Sequence, residues 1–139
     1  MLRVVLDANV YLSALIRPQG PPGQIVERFL EGLFEIVLSL AIVQETVRAF
    51  GYPKVRKYIH AGVDPELWLE DVILLAQFVA GDDELEGVSV DADDDKYFAG
   101  AVEGNATLIV TGDPDLLTVK EYRGIRIVTP RFFLDLLNG

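Results

Sequence analysis

The chain has no cysteine, one histidine, one methionine and one tryptophan among its 139 residues. Without thiols there is neither a disulfide framework nor a thiolate zinc site. The one histidine, His60, lies in a basic stretch, so a histidine catalytic base is not expected. Ser13 and Ser39 have no histidine partner in the pattern, which leaves a serine–histidine hydrolase unsupported. Long apolar runs are also missing: none approaches the roughly 20 residues a membrane helix needs, and MLRVVLDANV lacks the features of a signal peptide. A soluble, cytoplasmic protein without membrane attachment is the expectation. Neither G-x-x-x-x-G-K-[ST] nor G-x-G-x-x-G occurs, which removes the common nucleotide-phosphate loops.

Basic residues are scarce as well, 12 against 22 acidic, for a formal charge of −10. That sum argues against a polyanionic partner, because phosphate binding rewards basic surfaces. The distribution matters more. Eight of the 22 acids fall within DDELEGVSVDADDD, from Asp82 to Asp95, whereas RAFGYPKVRKYIH carries Arg48, Lys54, Arg56, Lys57 and His60 with no acid. Charge runs are often plain solvated surface, yet an acidic pocket beside a basic arm could hold metal with one and phosphate with the other.

Half of the residues are hydrophobic, and the length suits a single domain spanning residues 1–139 with a proper core. LRVVLD (2–7) reads as a buried parallel strand feeding a helix to about Arg17, capped by Asp7 or Asn9 and broken by RPQGPPG. A helix from about Gln24 to Glu31, a strand in LFEIVLS and a helix over LAIVQETVRAF follow. Next come a short basic helix, about Lys54 to His60, and a helix from Pro65 to about Ala80, capped by Asp64. The latter is apolar nearly all round and is expected to be largely buried. EGVSV is expected as a third strand, DDKYFAGAVEG as a helix, ATLIVTGD and IRIVTP as strands, and RFFLDLL as a closing helix. Strands alternating with helices predict an α/β fold of three layers, a mostly parallel central sheet flanked by helices.

Four acids punctuate this pattern where a strand or helix starts or ends: Asp7, Glu45, Asp95 and Asp113. Each has an ordinary explanation. Asp7 and Asp113 stand at turns where aspartate commonly caps, and Glu45 could be a surface glutamate. Two apolar strands that each end in Asp nevertheless put both carboxylates on one edge of one sheet, where open α/β sheets bind ligands. By helical phase Glu45 borders the apolar face of its helix, beside Ala41 and Ala49. Asp95 lies three residues before Phe98 and four before Ala99, on the expected buried face, with Asp94 rotated away. An inward acid is costly unless it is paired or bound to metal. Converging carboxylates require a counter-charge, and oxygen ligands suit Mg²⁺ or Mn²⁺, as one or two ions.

In the order and spacing of these residues the chain resembles the PIN-domain family of metal-dependent ribonucleases, which includes the VapC-type toxins of type II toxin–antitoxin pairs. The likeness covers essentially the whole chain: Asp7 with Asn9 after the first strand, Glu45 in the helix after the second, Asp95 opening DKYFAGA, and Asp113 in VTGDPDLL. DADDDKYFAGA and VTGDPDLL look most like the toxin branch. The resemblance implies that Asp7, Glu45, Asp95 and Asp113 are the metal-binding, catalytic quartet, with Asn9, Thr111 and Asp115 as supporting polar groups. It further implies RNA as substrate, a protein antitoxin as partner, and a homodimer. Arg48, Lys54, Arg56 and Lys57 would grip the RNA backbone. Other readings are a PIN-fold RNA-processing nuclease outside a toxin pair and a non-catalytic binding module, whose usual mark is loss of an acid. A receiver-like domain would need an acidic pair after the first strand and a lysine after a late one. VVLDAN and LIVTGD do not provide these.

Overall fold

In the computed structural model residues 1–83, 85, 88 and 91–139 are described. Strand β1 (Arg3–Leu6) leads into helix α1 (Ala8–Ile16), then α2 (Pro21–Leu30), β2 (Glu35–Leu38) and α3 (Leu40–Phe50). Two further helices, α4 (Pro53–Arg56) and α5 (Pro65–Leu75), precede the two-residue strand β3 (Gln77–Phe78). A 3₁₀ turn at Ala92–Asp94 opens α6 (Asp95–Glu103), followed by β4 (Leu108–Val110), α7 (Pro114–Leu117), β5 (Glu121–Tyr122), β6 (Ile125–Val128) and α8 (Pro130–Asn138).

Among the described residues the strands form one six-stranded sheet in the order β3-β2-β1-β4-β6-β5, parallel except for β5. This is the expected α/β architecture. Val4, Val5 and Leu6 of β1, with Ile36, Val37 and Leu38 of β2 and Ile109 and Val110 of β4, are essentially inaccessible. Parallel strands covered on both faces have this continuous apolar composition. The chain proceeds from β1 outward through β2 and β3, then returns to place β4 on the other side of β1. The carboxyl ends of β1 and β4 therefore flank the point where strand order reverses, the usual crevice of open α/β sheets. Asp7 and Asp113 follow these two strand ends.

Several expectations need correction. The helix read as running to Ala80 stops at Leu75, because Ala76 turns to an extended conformation (φ −77, ψ 159) and its successors pair with β2. Nor is that helix largely buried: Leu69 and Val72 face the core, while Leu67, Leu74 and Leu75 are exposed. The basic helix is a single turn, Pro53–Arg56. Helix α2 begins earlier than expected, since Pro21 and Pro22 sit at its first positions, where a missing N–H costs nothing. The strand expected over EGVSV (86–90) lies outside the described residues apart from Val88. The hairpin between β5 and β6 was not legible either. It turns through Arg123 (φ 51) and Gly124 (φ 80), and arginine is not the residue that usually announces a positive φ.

Candidate active site

Asp7 anchors the site. It is 4% exposed, caps α1, and uses both carboxylate oxygens: Asn9 N–H donates to Oδ1 at 3.2 Å and the Thr111 hydroxyl to Oδ2 at 2.7 Å. Thr111 is fully buried at the end of β4, and its Oγ1 also accepts the Asp113 N–H at 3.0 Å. One hydroxyl thus ties the two strand ends together. Asp113 in turn caps α7, its Oδ1 accepting the Asp115 N–H at 2.9 Å. Capping and clustering are therefore not rival explanations of these two acids, because each does both. Asn9 and Asp115 contribute backbone N–H groups, and both residues are exposed.

Glu45, midway along α3, is half-buried. Its Oε2 accepts from Lys96 Nζ at 2.9 Å and from the Tyr97 hydroxyl at 2.6 Å. The same hydroxyl accepts the Ala8 N–H at 3.2 Å, at the start of α1. Neither Lys96 nor Tyr97 was singled out from sequence. Tyr97 is 1% exposed and reads as one more apolar residue in KYFAGA, and only its three-residue spacing from Asp94 hints at a shared face.

The acidic run sits on the 3₁₀ turn and at the start of α6. Burial pushes the Asp94 carboxyl up to about 7, with further contributions from Asp113, Asp7, Asp91 and Glu45. Asp94, half-buried, thus feels the other three acids. Asp95 lines a surface recess with Gly81, Asp83, Leu85, Ala92, Lys96 and Ala99. Helical phase is a weak guide to this run for two physical reasons. A 3₁₀ turn at Ala92–Asp94 precedes the helix, so the side chains there do not follow 100° steps. Five consecutive residues of α6, Tyr97 to Ala101, are buried, so no single face marks the inside.

Burial also raises the Asp7 pKa, opposed by the hydrogen bonds from Thr111 and Asn9 and reinforced by nearby Glu45. Crowded acids with raised pKa values mark sites that await a counter-charge. All the acidic donors here are oxygens, so in kind they fit a hard divalent cation. Among the described residues, however, no three His, Cys, Asp or Glu side chains form a ready-made ligand group.

The basic arm follows Glu45 in the chain. Arg48 is in the last turn of α3, three residues beyond Glu45 and hence about 4.5 Å along the helix axis. Lys54 and Arg56 are on α4 and Lys57 caps it. All four are exposed, and among the described residues none is in an ion pair. Among those residues no helix is long and apolar enough to cross a membrane.

Residues 3–115 match the family profile described as the PIN domain. An uncharacterized protein of Methanocaldococcus jannaschii is 29% identical over 142 residues, covering 96% of this chain and 90% of that relative. Among solved structures the fold is similar to VapBC2 from Rickettsia felis bound to a DNA fragment from their promoter. The TM-score is 0.61 at 13% identity, over 92% of this chain and 98% of that one. It is also similar to a Pyrobaculum aerophilum protein, with TM-score 0.57 and 17% identity, over 99% of this chain and 90% of that one. At those identities the likeness speaks for the fold. With the profile spanning most of its length, this chain belongs to the PIN-domain family.

Proposed function

We propose that this protein is a Mg²⁺- or Mn²⁺-dependent endoribonuclease, cleaving single-stranded or structured RNA, and the toxin of a toxin–antitoxin pair. The observation that carries the reading is the link of Asp7 to Asp113 through the Thr111 hydroxyl at the strand-order reversal of a PIN fold, with the Asp94 carboxyl raised by burial and by Asp113, Asp7 and Glu45. Asp94 joins this group, with Asp95 next to it at the start of α6 as the further acid the sequence points to. A bound divalent ion supplies a lowered pKa for water and neutralises charge on the scissile phosphate. The chain's own groups do the rest. Asp7, held rigid by Thr111 and Asn9, would hold the cation together with Glu45, Asp94 and Asp113. Arg48, Lys54, Arg56 and Lys57 would grip the RNA backbone outside the acidic centre, which would otherwise repel it.

The partner reading rests on the likeness to a solved VapBC2 complex. An inhibitory antitoxin would place an Arg or Lys against these carboxylates, and Arg suits paired carboxylates best. A homodimer and a cytoplasmic location complete the proposal. One observation favours a non-catalytic module instead: Lys96 already pairs with Glu45. The two readings separate in a cleavage assay. Single-stranded RNA should be cut with Mn²⁺ or Mg²⁺ and left intact with chelator, and Asp7→Asn or Asp113→Asn should each abolish cutting in a folded protein. Wild-type cutting by Asp7→Asn would overturn the assignment.

A further inference from the structure

Tyr97 and Tyr11 are both fully packed away, 1% and 0% exposed, yet their hydroxyls have different fates. Among the described residues the Tyr11 hydroxyl has no partner at all. The Tyr97 hydroxyl joins three helices: from α6 it donates to Glu45 Oε2 on α3 at 2.6 Å and accepts the first N–H of α1, that of Ala8, at 3.2 Å. The shorter contact has the length of a charge-assisted O–H···O⁻ bond. Lys96 donates to the same Oε2, and among the described residues Glu45 Oε1 accepts no hydrogen bond. Both donors therefore hold one oxygen of Glu45 and leave the other for a ligand. The two are not equivalent. Lys96 is a long side chain with 21% of its surface exposed, whereas Tyr97 has two rotatable bonds and a ring locked by packing.

We propose that Tyr97 is a positioning residue of the acidic site, its hydroxyl fixing Glu45 against the start of α1 so that Oε1 stays presented to a bound cation. The inference rests on the metal-dependent reading above. Groups that orient a ligand from behind typically change metal affinity or activity by 10–100-fold when removed.

The test uses the full chain, Mn²⁺ alone as the binding probe and calorimetric titration as the readout. Wild type, Tyr97→Phe and Tyr11→Phe are compared, with metal-free melting recorded for each and titration at a temperature where all are folded. Tyr97→Phe keeps the ring, so packing is preserved, and should weaken Mn²⁺ binding about 10-fold. In RNA cleavage it should lower kcat by about as much and leave KM within about twofold, because the hydroxyl acts on Glu45 and not on the RNA. Tyr11→Phe removes an equally buried hydroxyl and should change neither. In a Glu45→Gln background, Tyr97→Phe should add little, since the carboxylate it positions is already gone. Wild-type Mn²⁺ affinity and kcat in Tyr97→Phe overturn the proposal, whatever its melting temperature. A full additional loss in the Glu45→Gln background overturns it too, by showing an action independent of Glu45. A wild-type protein that takes up no Mn²⁺ overturns the metal reading and this inference together.

Discussion

Asp94 is the residue on which pH should act. With its pKa raised to about 7 by burial and by Asp113, Asp7, Asp91 and Glu45, the folded protein holds a proton there that the unfolded chain releases near the ordinary aspartate value. Between those two values the native state binds more protons, so stability falls as pH rises. Asp7, shifted in the same direction, adds to the trend. Metal-free protein should therefore melt higher near pH 5 than near pH 8, the reverse of the usual gain when salt-bridged carboxylates ionise. Asp94→Asn should flatten that slope. Melting curves at low ionic strength in the presence of chelator decide it, and a slope unchanged in Asp94→Asn would remove Asp94 from the cluster. Mn²⁺ should restore stability most at the higher pH, because ligation requires the deprotonated acid.

At the scale of elements, α5 shows how far an apolar stretch can mislead. Its mean composition is that of a core helix, but only Leu69 and Val72 are enclosed, and Leu74 is 75% exposed. Leu69→Ala should cost about 2–5 kcal/mol by leaving a cavity, whereas Leu74→Ser should stay within about 0.5 kcal/mol. Chemical denaturation of the two variants checks this; equal losses would mean that the exposed face is packed in solution. Gly23 in α2 is a second sensitive point. A Cβ there would come within 2.1 Å of the Pro18 carbonyl oxygen, so Gly23→Ala must displace the backbone of the α1–α2 turn. It should destabilise the protein although alanine is the better helix former.

For the whole molecule, a charge of −10 and a crowded acidic site make divalent cations stabilising ligands of the native state. Millimolar Mn²⁺ should raise the melting temperature, and Asp94→Asn should blunt that shift. The basic arm answers to a different variable. Removing Lys54, Arg56 and Lys57 together should weaken RNA binding and reduce the slope of log affinity against log salt by up to about 2, at about 0.7 per phosphate contact on a single strand. Filter binding at several salt concentrations, in chelator to prevent cutting, measures it. An unchanged slope would place the RNA path elsewhere.

The order of strands and helices, the caps at Asp7 and Asp64, the apolar strands running into acids, and the separation of acidic and basic stretches all follow from residues close in sequence. Periodicity and turn chemistry are local, and the chain displays them directly. Which carboxylate of DADDD turns inward is not local. It depends on a 3₁₀ turn and on a helix buried nearly all round, which put Asp94 within the field of the others. The exposure of α5 likewise depends on which neighbours reach it. The link from Tyr97 to Glu45 and Ala8 spans 52 and 89 residues of chain, and no spacing rule reaches that far. Composition and pattern determined the fold and named most of its acids. Long-range packing decided which of them share a site and what holds them there, because burial and mutual repulsion are properties of side chains brought together only by the folded chain.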